Sequence, residues 1–211
     1  MAPTYKVCVY GSSSARTPEK YLKVAKDLGL LLAEGGHLAI NGGGLNGCMG
    51  ALNDGIHERN GLSRGVIHEM FIVDKNEHPS IRDMKVVGGD GLQERKRALV
   101  EEADCVIALP GGPGTWDELF EIVCLKGIGL CELPVCAVDV DRFYEGVRMQ
   151  IKRAHEDGLL YAEPSDLLHF EPDADAALRW CLSQLGDAGK SIKKVQPVVR
   201  QPADRVGGSG C

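Results

Sequence analysis

Short runs of consecutive apolar residues alternate along this chain with longer stretches whose apolar positions recur every three or four residues. The short runs fit strands buried on both faces, and the longer stretches fit helices packed along one side. Residues 6–10 predict the first strand. Thr17-Pro18 then supplies a cap followed by proline at the first helical position, and Leu22, Ala25, Leu28 and Leu32 keep helical spacing until Gly35-Gly36 ends the helix. Residues 38–40 predict a second strand, leading through Asn41-Gly-Gly-Gly into a helix over 47–59. A third strand covers 64–68. The polar stretch 71–84 contains Pro79 and reads as a long loop near the site, ahead of a short strand at 85–87. The remaining pattern predicts helices over 92–103, 115–128, 143–156 and 173–185, with strands at 105–109, 133–140 and 167–170.

This alternation of strand and helix predicts an α/β fold: a Rossmann-like, doubly wound, mainly parallel sheet with helices on both faces. A length of 211 residues fits one domain, expected over 1–187. Beyond Gly186 the composition shifts to lysine, proline and a closing Gly-Gly-Ser-Gly-Cys, so 188–211 reads as a flexible tail. The net charge of −6 argues against a broad nucleic-acid surface. No apolar run approaches the ~20 residues of a membrane span, and a strand starting near Tyr5 leaves no room for a targeting peptide. Of eight cysteines, Cys8, Cys105 and Cys136 fall in strand-like runs and Cys48 and Cys124 in helical ones. They read as buried free thiols of a reducing, cytoplasmic protein rather than as disulfides. Cys131 and Cys136 lack a second Cys/His pair nearby, so no zinc site is expected. The six histidines are scattered without ligand spacing.

Candidate chemistry concentrates at three glycine- or serine-rich loops that follow predicted strands. The most informative is Pro110-Gly-Gly-Pro-Gly-Thr-Trp-Asp-Glu118, set between a strand and a helix. The first turn of a helix offers free backbone N–H groups and a positive dipole end, which together suit a phosphate. Gly111, Gly112 and Gly114 let the backbone approach a ligand, Thr115 adds a hydroxyl, and Glu118 lies one turn onward. Thr115 and Glu118 also match a capping box, in which the threonine caps the helix and the glutamate bonds back to it. Read locally, that is the simpler account of both residues.

The loop Gly42-Gly-Gly-Leu-Asn-Gly-Cys-Met-Gly50 also leaves a strand and opens a helix. It lacks the Lys-Ser/Thr of a Walker A loop and the acidic residue of a dinucleotide fingerprint, so nucleotide binding and a tight βα turn weigh about equally. In Leu92-Gln-Glu-Arg95-Lys96-Arg97 the two cations at 95 and 96 flank an apolar stripe of Leu92, Leu99 and Ala103. Position alone favours snorkelling, with apolar stems packed and charges in water.

Taken together, these motifs resemble the Lonely Guy family of cytokinin-activating phosphoribohydrolases, long mislabelled as lysine decarboxylases. The family pattern P-G-G-x-G-T-x-x-E matches Pro110–Glu118, G-G-G-x-x-G-x-M-G matches Gly42–Gly50, and the R-K pair falls on Arg95 and Lys96. The resemblance runs from about residue 6 to 185 and favours the functional readings of Arg95 and Glu118. It implies hydrolysis of the N-glycosidic bond of an N6-substituted adenosine 5′-monophosphate, giving free base and ribose 5-phosphate without metal or cofactor. Glu118 would stabilise charge at C1′ and help activate water, with Arg95 holding the geometry and Lys96 assisting. Gly111, Gly112, Gly114 and Thr115 would cradle the phosphate, while Gly43, Gly44, Ser12 and Ser13 would line the nucleotide pocket. It also implies a homodimer or larger assembly. Leu92-Gln93 in place of Met-His, with His68, Asn41 and Trp116, depart from the common pattern. A general AMP nucleosidase would use the same residues, and a non-catalytic carrier of a phosphorylated or pterin-type ligand shares the architecture. Lysine decarboxylation is disfavoured, because nothing marks a Schiff-base lysine.

Overall fold

Among the described residues, seven strands build one sheet: β1 (Lys6–Tyr10), β2 (Leu38–Asn41), β3 (Leu62–His68), β4 (Asp83–Val87), β5 (Cys105–Ala108), β6 (Val135–Val138) and β7 (His169–Glu171). The computed structural model describes residues 4–74, 77–186 and 194–195. The strand order is β4-β3-β2-β1-β5-β6-β7, and every pairing is parallel. Val7 stands between Ala39 of β2 and Cys105 of β5. The chain thus winds outward from β1 in one direction, then returns to its other side and winds the opposite way. A crevice at the carboxyl ends of β1 and β5 follows from that reversal, and such crevices hold ligands.

The helices are α1 (Glu19–Glu34), α2 (Gly47–Glu58), α3 (Gln93–Val100), α4 (Pro113–Gly127), α5 (Glu145–Glu156), α6 (Pro164–Leu167) and α7 (Ala174–Leu185). Successive strand residues face opposite sides, so each strand feeds two cores. Val7, Val9, Ala39, Cys105 and Ile107 pack with Leu28 and Leu32 of α1, Leu52 and Ile56 of α2, and Ala177 and Cys181 of α7. Cys8, Tyr10, Ile40, Val106 and Ala108 pack with Leu99 of α3, Leu119 and Ile122 of α4, and Ile151 of α5. This covering of both faces is why the central strands β5 and β6 are apolar at every position. Among the described residues, no helix is long and apolar enough to cross a membrane.

Several local expectations give way. Thr17 does not cap α1: its hydroxyl turns back to Ser14 O (2.7 Å) and Ser12 Oγ (2.8 Å), and the helix starts two residues on at Glu19. The polar stretch 71–84 holds part of a 3-10 helix, Glu69–Asp74, and the strand after it begins at Asp83 rather than 85. The turn α6 was not expected at all; four residues are too few to show a period. Cys124 is exposed on α4, unlike the buried thiols at Cys8, Cys48, Cys105, Cys131, Cys136 and Cys181. All seven described cysteines are free. The tail expected over 188–211 lies outside the described residues except at 194–195, where Lys194 Nζ meets Asp104 Oδ1 at 2.6 Å.

Candidate active site

The three loops identified in the sequence meet at the carboxyl ends of β1, β2 and β5. Backbone bonds tie them together: Ser12 N–H donates to Pro110 O (3.1 Å), and Met49 N–H donates to Ser12 O (3.2 Å). The buried Tyr144 hydroxyl donates to Leu109 O (2.6 Å), anchoring the end of the β5 run from α5's side. Between the loops lies a cavity of about 300 Å³. Its wall includes Ser12, Ser13, Gly44, Arg95, Gly112, Gly114, Thr115 and Glu118, all anticipated, together with Val9, Gly11, Ser14, Gly42, Met49 and Pro113.

One end of the cavity is the start of α4. The helix begins at Pro113 with Gly112 at the cap, so proline occupies the first turn, where its missing N–H costs nothing. The expected start at Thr115 is two residues late, and the capping-box reading falls with it. Thr115 lies inside the first turn, and the first helical bond runs from Trp116 N–H to Gly112 O (3.0 Å). Thr115 is only 4% exposed, yet its hydroxyl has no hydrogen-bond partner among the described residues. A nearly buried hydroxyl opening on a cavity, beside helix N–H groups that lack intrahelical partners, makes a cradle of neutral donors.

One turn along α4, Glu118 meets Arg95 of α3. Arg95 Nη1 donates to Glu118 Oε1 at 3.3 Å, while its Nε donates to Val66 O at 3.1 Å. The side chains are 17% and 13% exposed. Arg95 is therefore not a snorkelling cation; its head points inward along the cavity wall. Gly42 makes room for it, since a Cβ there would lie 2.7 Å from Arg95 Nη2. Burial pushes the Glu118 carboxyl up to about 7; Arg95 and Lys96 oppose the rise, and Asp117 and Glu121 add to it. A carboxyl balanced near neutrality and held by a permanent cation can act as a base or stabilise nearby positive charge.

Three anticipated residues stand off the wall. Lys96 is buried, with Nζ 3.1 Å from Asp117 and 3.2 Å from Glu121. Gly111 lies beneath Thr115, where a Cβ would meet Thr115 Oγ1 at 2.2 Å. Gly43 backs its loop with φ +74°, a left-handed conformation that glycine adopts without strain. Its N–H is held by Asn41 Oδ1 (2.8 Å), and its C=O by His78 N–H (2.8 Å). Among the described residues, no three His, Cys, Asp or Glu side chains gather as a metal ion would need.

Comparison with known proteins is decisive at the family level. A family model described as "Possible lysine decarboxylase" matches residues 49–181. Cytokinin riboside 5′-monophosphate phosphoribohydrolase LOG5 of Arabidopsis thaliana is 30% identical over 201 residues, covering 93% of this chain and 87% of its own. The rice enzyme of the same description, LOG of Oryza sativa subsp. japonica, is 30% identical over 80% of this chain and 69% of its own. The chain belongs to the Lonely Guy family.

Structural likeness extends further than that family's enzymes. The molybdenum cofactor carrier protein of Chlamydomonas reinhardtii superposes with a TM-score of 0.67 at 20% identity, covering 88% of this chain and 99% of its own. The molybdenum cofactor binding protein of Rippkaea orientalis gives 0.66, also at 20% identity and with the same coverage. At that identity the likeness speaks for the fold. The Lonely Guy motifs themselves fall on the cavity: P-G-G-x-G-T-x-x-E supplies the helix start and Glu118, and the R-K helix supplies Arg95. Ser14, Gly42 and Met49 line the same wall. They carry no signal in the sequence beyond lying in the two other loops.

Proposed function

We propose that the protein hydrolyses the N-glycosidic bond of cytokinin riboside 5′-monophosphates, releasing the N6-substituted adenine and ribose 5-phosphate. The observation that carries this reading is the Arg95–Glu118 pair one helical turn from the donor cradle at Gly112, Gly114 and Thr115. The 5′-phosphate sits on the cradle, which sets C1′ beside Glu118. As the C1′–N9 bond breaks, its electron pair leaves with the base and positive charge builds on the ribose. The Glu118 carboxylate stabilises that charge and takes a proton from the attacking water, whose oxygen bonds to C1′; a proton from solvent neutralises the departing base, and Glu118 returns its own to solvent. Arg95 fixes the carboxylate and holds the sugar through hydrogen bonds. Binding energy from the phosphate, remote from the broken bond, contributes orientation.

The relatives' shared description as phosphoribohydrolases supports a hydrolase. The working unit in this reading is a cytoplasmic homodimer; Trp116 and Phe120 of α4, 43% and 42% exposed beside the site, offer an apolar face for it. The decisive experiment is chromatography of products from N6-isopentenyladenosine monophosphate, AMP and the unphosphorylated riboside, with a Glu118→Gln control. Base released chiefly from the prenylated monophosphate, and lost in the variant, is the expected result. Equal or faster release from AMP would make the protein a general nucleotide nucleosidase. No release from any monophosphate by the folded protein would overturn the enzyme reading in favour of a carrier.

A further inference from the structure

Behind the cavity, and off its wall, two asparagines form a closed amide pair. Asn41 at the end of β2 and Asn53 on α2 are both fully buried. Asn41 Nδ2 donates to Asn53 Oδ1 and Asn53 Nδ2 donates back to Asn41 Oδ1, each at 3.1 Å. The second Asn53 N–H donates to Met49 O (2.9 Å), one turn back on its own helix. Asn41 Oδ1 also accepts the Gly43 N–H (2.8 Å), so both its lone pairs are used. Neither amide can flip without setting donor against donor, because Gly43 and Met49 each demand one orientation. An aliphatic pair would pack here as the neighbouring Leu52 and Ile56 do, but it would leave the Gly43 N–H without an acceptor.

We propose that Asn53 is a positioning residue for the Arg95–Glu118 pair, acting through Asn41 and the Gly42–Gly43 backbone on which the Arg95 guanidinium rests. The chain of contact is continuous. Asn53 fixes Asn41, Asn41 fixes the Gly43 N–H, and the Gly43 C=O is fixed from the far side by His78 N–H. Gly42, the preceding residue, lies directly under Arg95 Nη2. Arg95 is thereby confined between Val66 O, the Gly42 backbone and Glu118. Loss of the Asn53 amide removes the support that keeps the guanidinium against the carboxylate. A misplacement of about 1 Å can cost about 100-fold in rate.

This inference rests on the phosphoribohydrolase reading for its kinetic arm only. The test compares wild type with Asn53→Ala and the milder Asn53→Ser, each checked for folding by its melting curve. Steady-state kinetics on N6-isopentenyladenosine monophosphate are expected to give a kcat lowered about 10- to 100-fold, with KM within about threefold because the phosphate cradle on α4 is untouched. In parallel, the side-chain carboxyl carbon of Glu118 is followed by NMR titration, its signal assigned by loss in Glu118→Gln. Because Arg95 holds the Glu118 pKa down, withdrawal of the guanidinium should move that titration to higher pH in both variants. Asn53→Ser, which keeps one hydroxyl for Asn41, should shift less than Asn53→Ala. A folded Asn53→Ala with an unmoved Glu118 titration would overturn the proposal, whether or not kcat changed. If wild type cleaves no monophosphate, the functional reading fails while the titration still decides this one.

Discussion

Arg95 Nη1 lies 3.3 Å from Glu118 Oε1, and the two residues come from helices on either side of β5 in the sequence, 23 positions apart. The carboxylate is therefore not a free surface acid, nor is the arginine a loose cation. Each is held in the cavity wall by the other. Replacing Glu118 by glutamine keeps the size and one acceptor but removes the charge that would meet an oxocarbenium-like ribose. The expected outcome is a kcat lowered by about 10³-fold, with KM for the monophosphate within about threefold, read from steady-state kinetics.

The pH profile should report the same carboxyl. Glu118 is pushed up to about 7, mainly by burial, and in the proposed reaction the ionised form is the active one. Hence kcat/KM should rise about tenfold per pH unit below 7 and level off above it. Stability should run the other way. A carboxyl raised from its ordinary 4.5 binds its proton more tightly in the folded state, so its contribution is full below 4.5 and is lost as pH rises through 7. The loss amounts to roughly 3 kcal/mol at most. The melting temperature of Glu118→Gln relative to wild type should therefore climb between pH 4.5 and 8; a constant offset would contradict the raised pKa.

Much of the fold is legible along the chain because buried parallel strands and amphipathic helices leave different periods, and here they alternate cleanly. Val7, Val9, Leu28 and Leu32 announce their layers without help from tertiary structure. The sequence pattern puts the start of α4 too late because Thr115 and Glu118 satisfy a local capping pattern; Pro113, free to take the first turn, starts the helix earlier. The direction of Arg95 was illegible for a different reason. A helical wheel gives a residue's face but not what stands opposite it, and Glu118 stands opposite only once α3 and α4 pack on the same side of the sheet. Asn41 stands out only as a departure from the family pattern and Asn53 carries no signal, since two asparagines 12 residues apart become a pair only when β2 and α2 fold back together. Motif resemblance supplied what periodicity lacked at Arg95 and Glu118, but it is silent on that amide pair.

Thr115 tests the cradle. The residue is 4% exposed and its hydroxyl has no protein partner among the described residues, so replacing it by valine leaves no buried group unsatisfied. Thr115→Val should fold as wild type does. Its kcat/KM for a nucleoside 5′-monophosphate should fall about tenfold, the worth of one charge-assisted hydrogen bond. For the unphosphorylated riboside, expected to be a poor substrate, the change should be less than about twofold. Equal losses on both substrates would place the threonine away from the phosphate.

Lys96 should behave as part of the frame. Burial pulls its pKa down, but hydrogen bonds to Asp117 and Glu121 outweigh that, and the net shift is upward. Removing the ammonium in Lys96→Met leaves two carboxylates of α4 facing each other. Asp117 is more than half exposed, so solvent screens part of the cost. A loss of about 1–2 kcal/mol by chemical denaturation is expected, with kcat changed by less than about threefold. A large fall in kcat without loss of stability would instead put Lys96 on the substrate.

Gly42 offers the sharpest separation of geometry from folding. Its φ lies outside the left-handed region, so alanine there carries no backbone strain. What the new methyl meets is Arg95 Nη2, 2.7 Å away and well inside van der Waals contact. The guanidinium is tethered at Nε by Val66 O, so it cannot withdraw wholesale; it must rotate, and the end that reaches Glu118 moves. Gly42→Ala should thus keep its melting temperature within a few degrees while kcat falls about 10- to 100-fold. If displaced Arg95 is the whole cause, then adding Arg95→Ala to Gly42→Ala should cost much less than Arg95→Ala alone costs in the wild type. Additive losses in that double-mutant cycle would mean that the methyl group blocks the ligand directly, and Gly42 would then belong to the nucleotide pocket rather than to the support of Arg95.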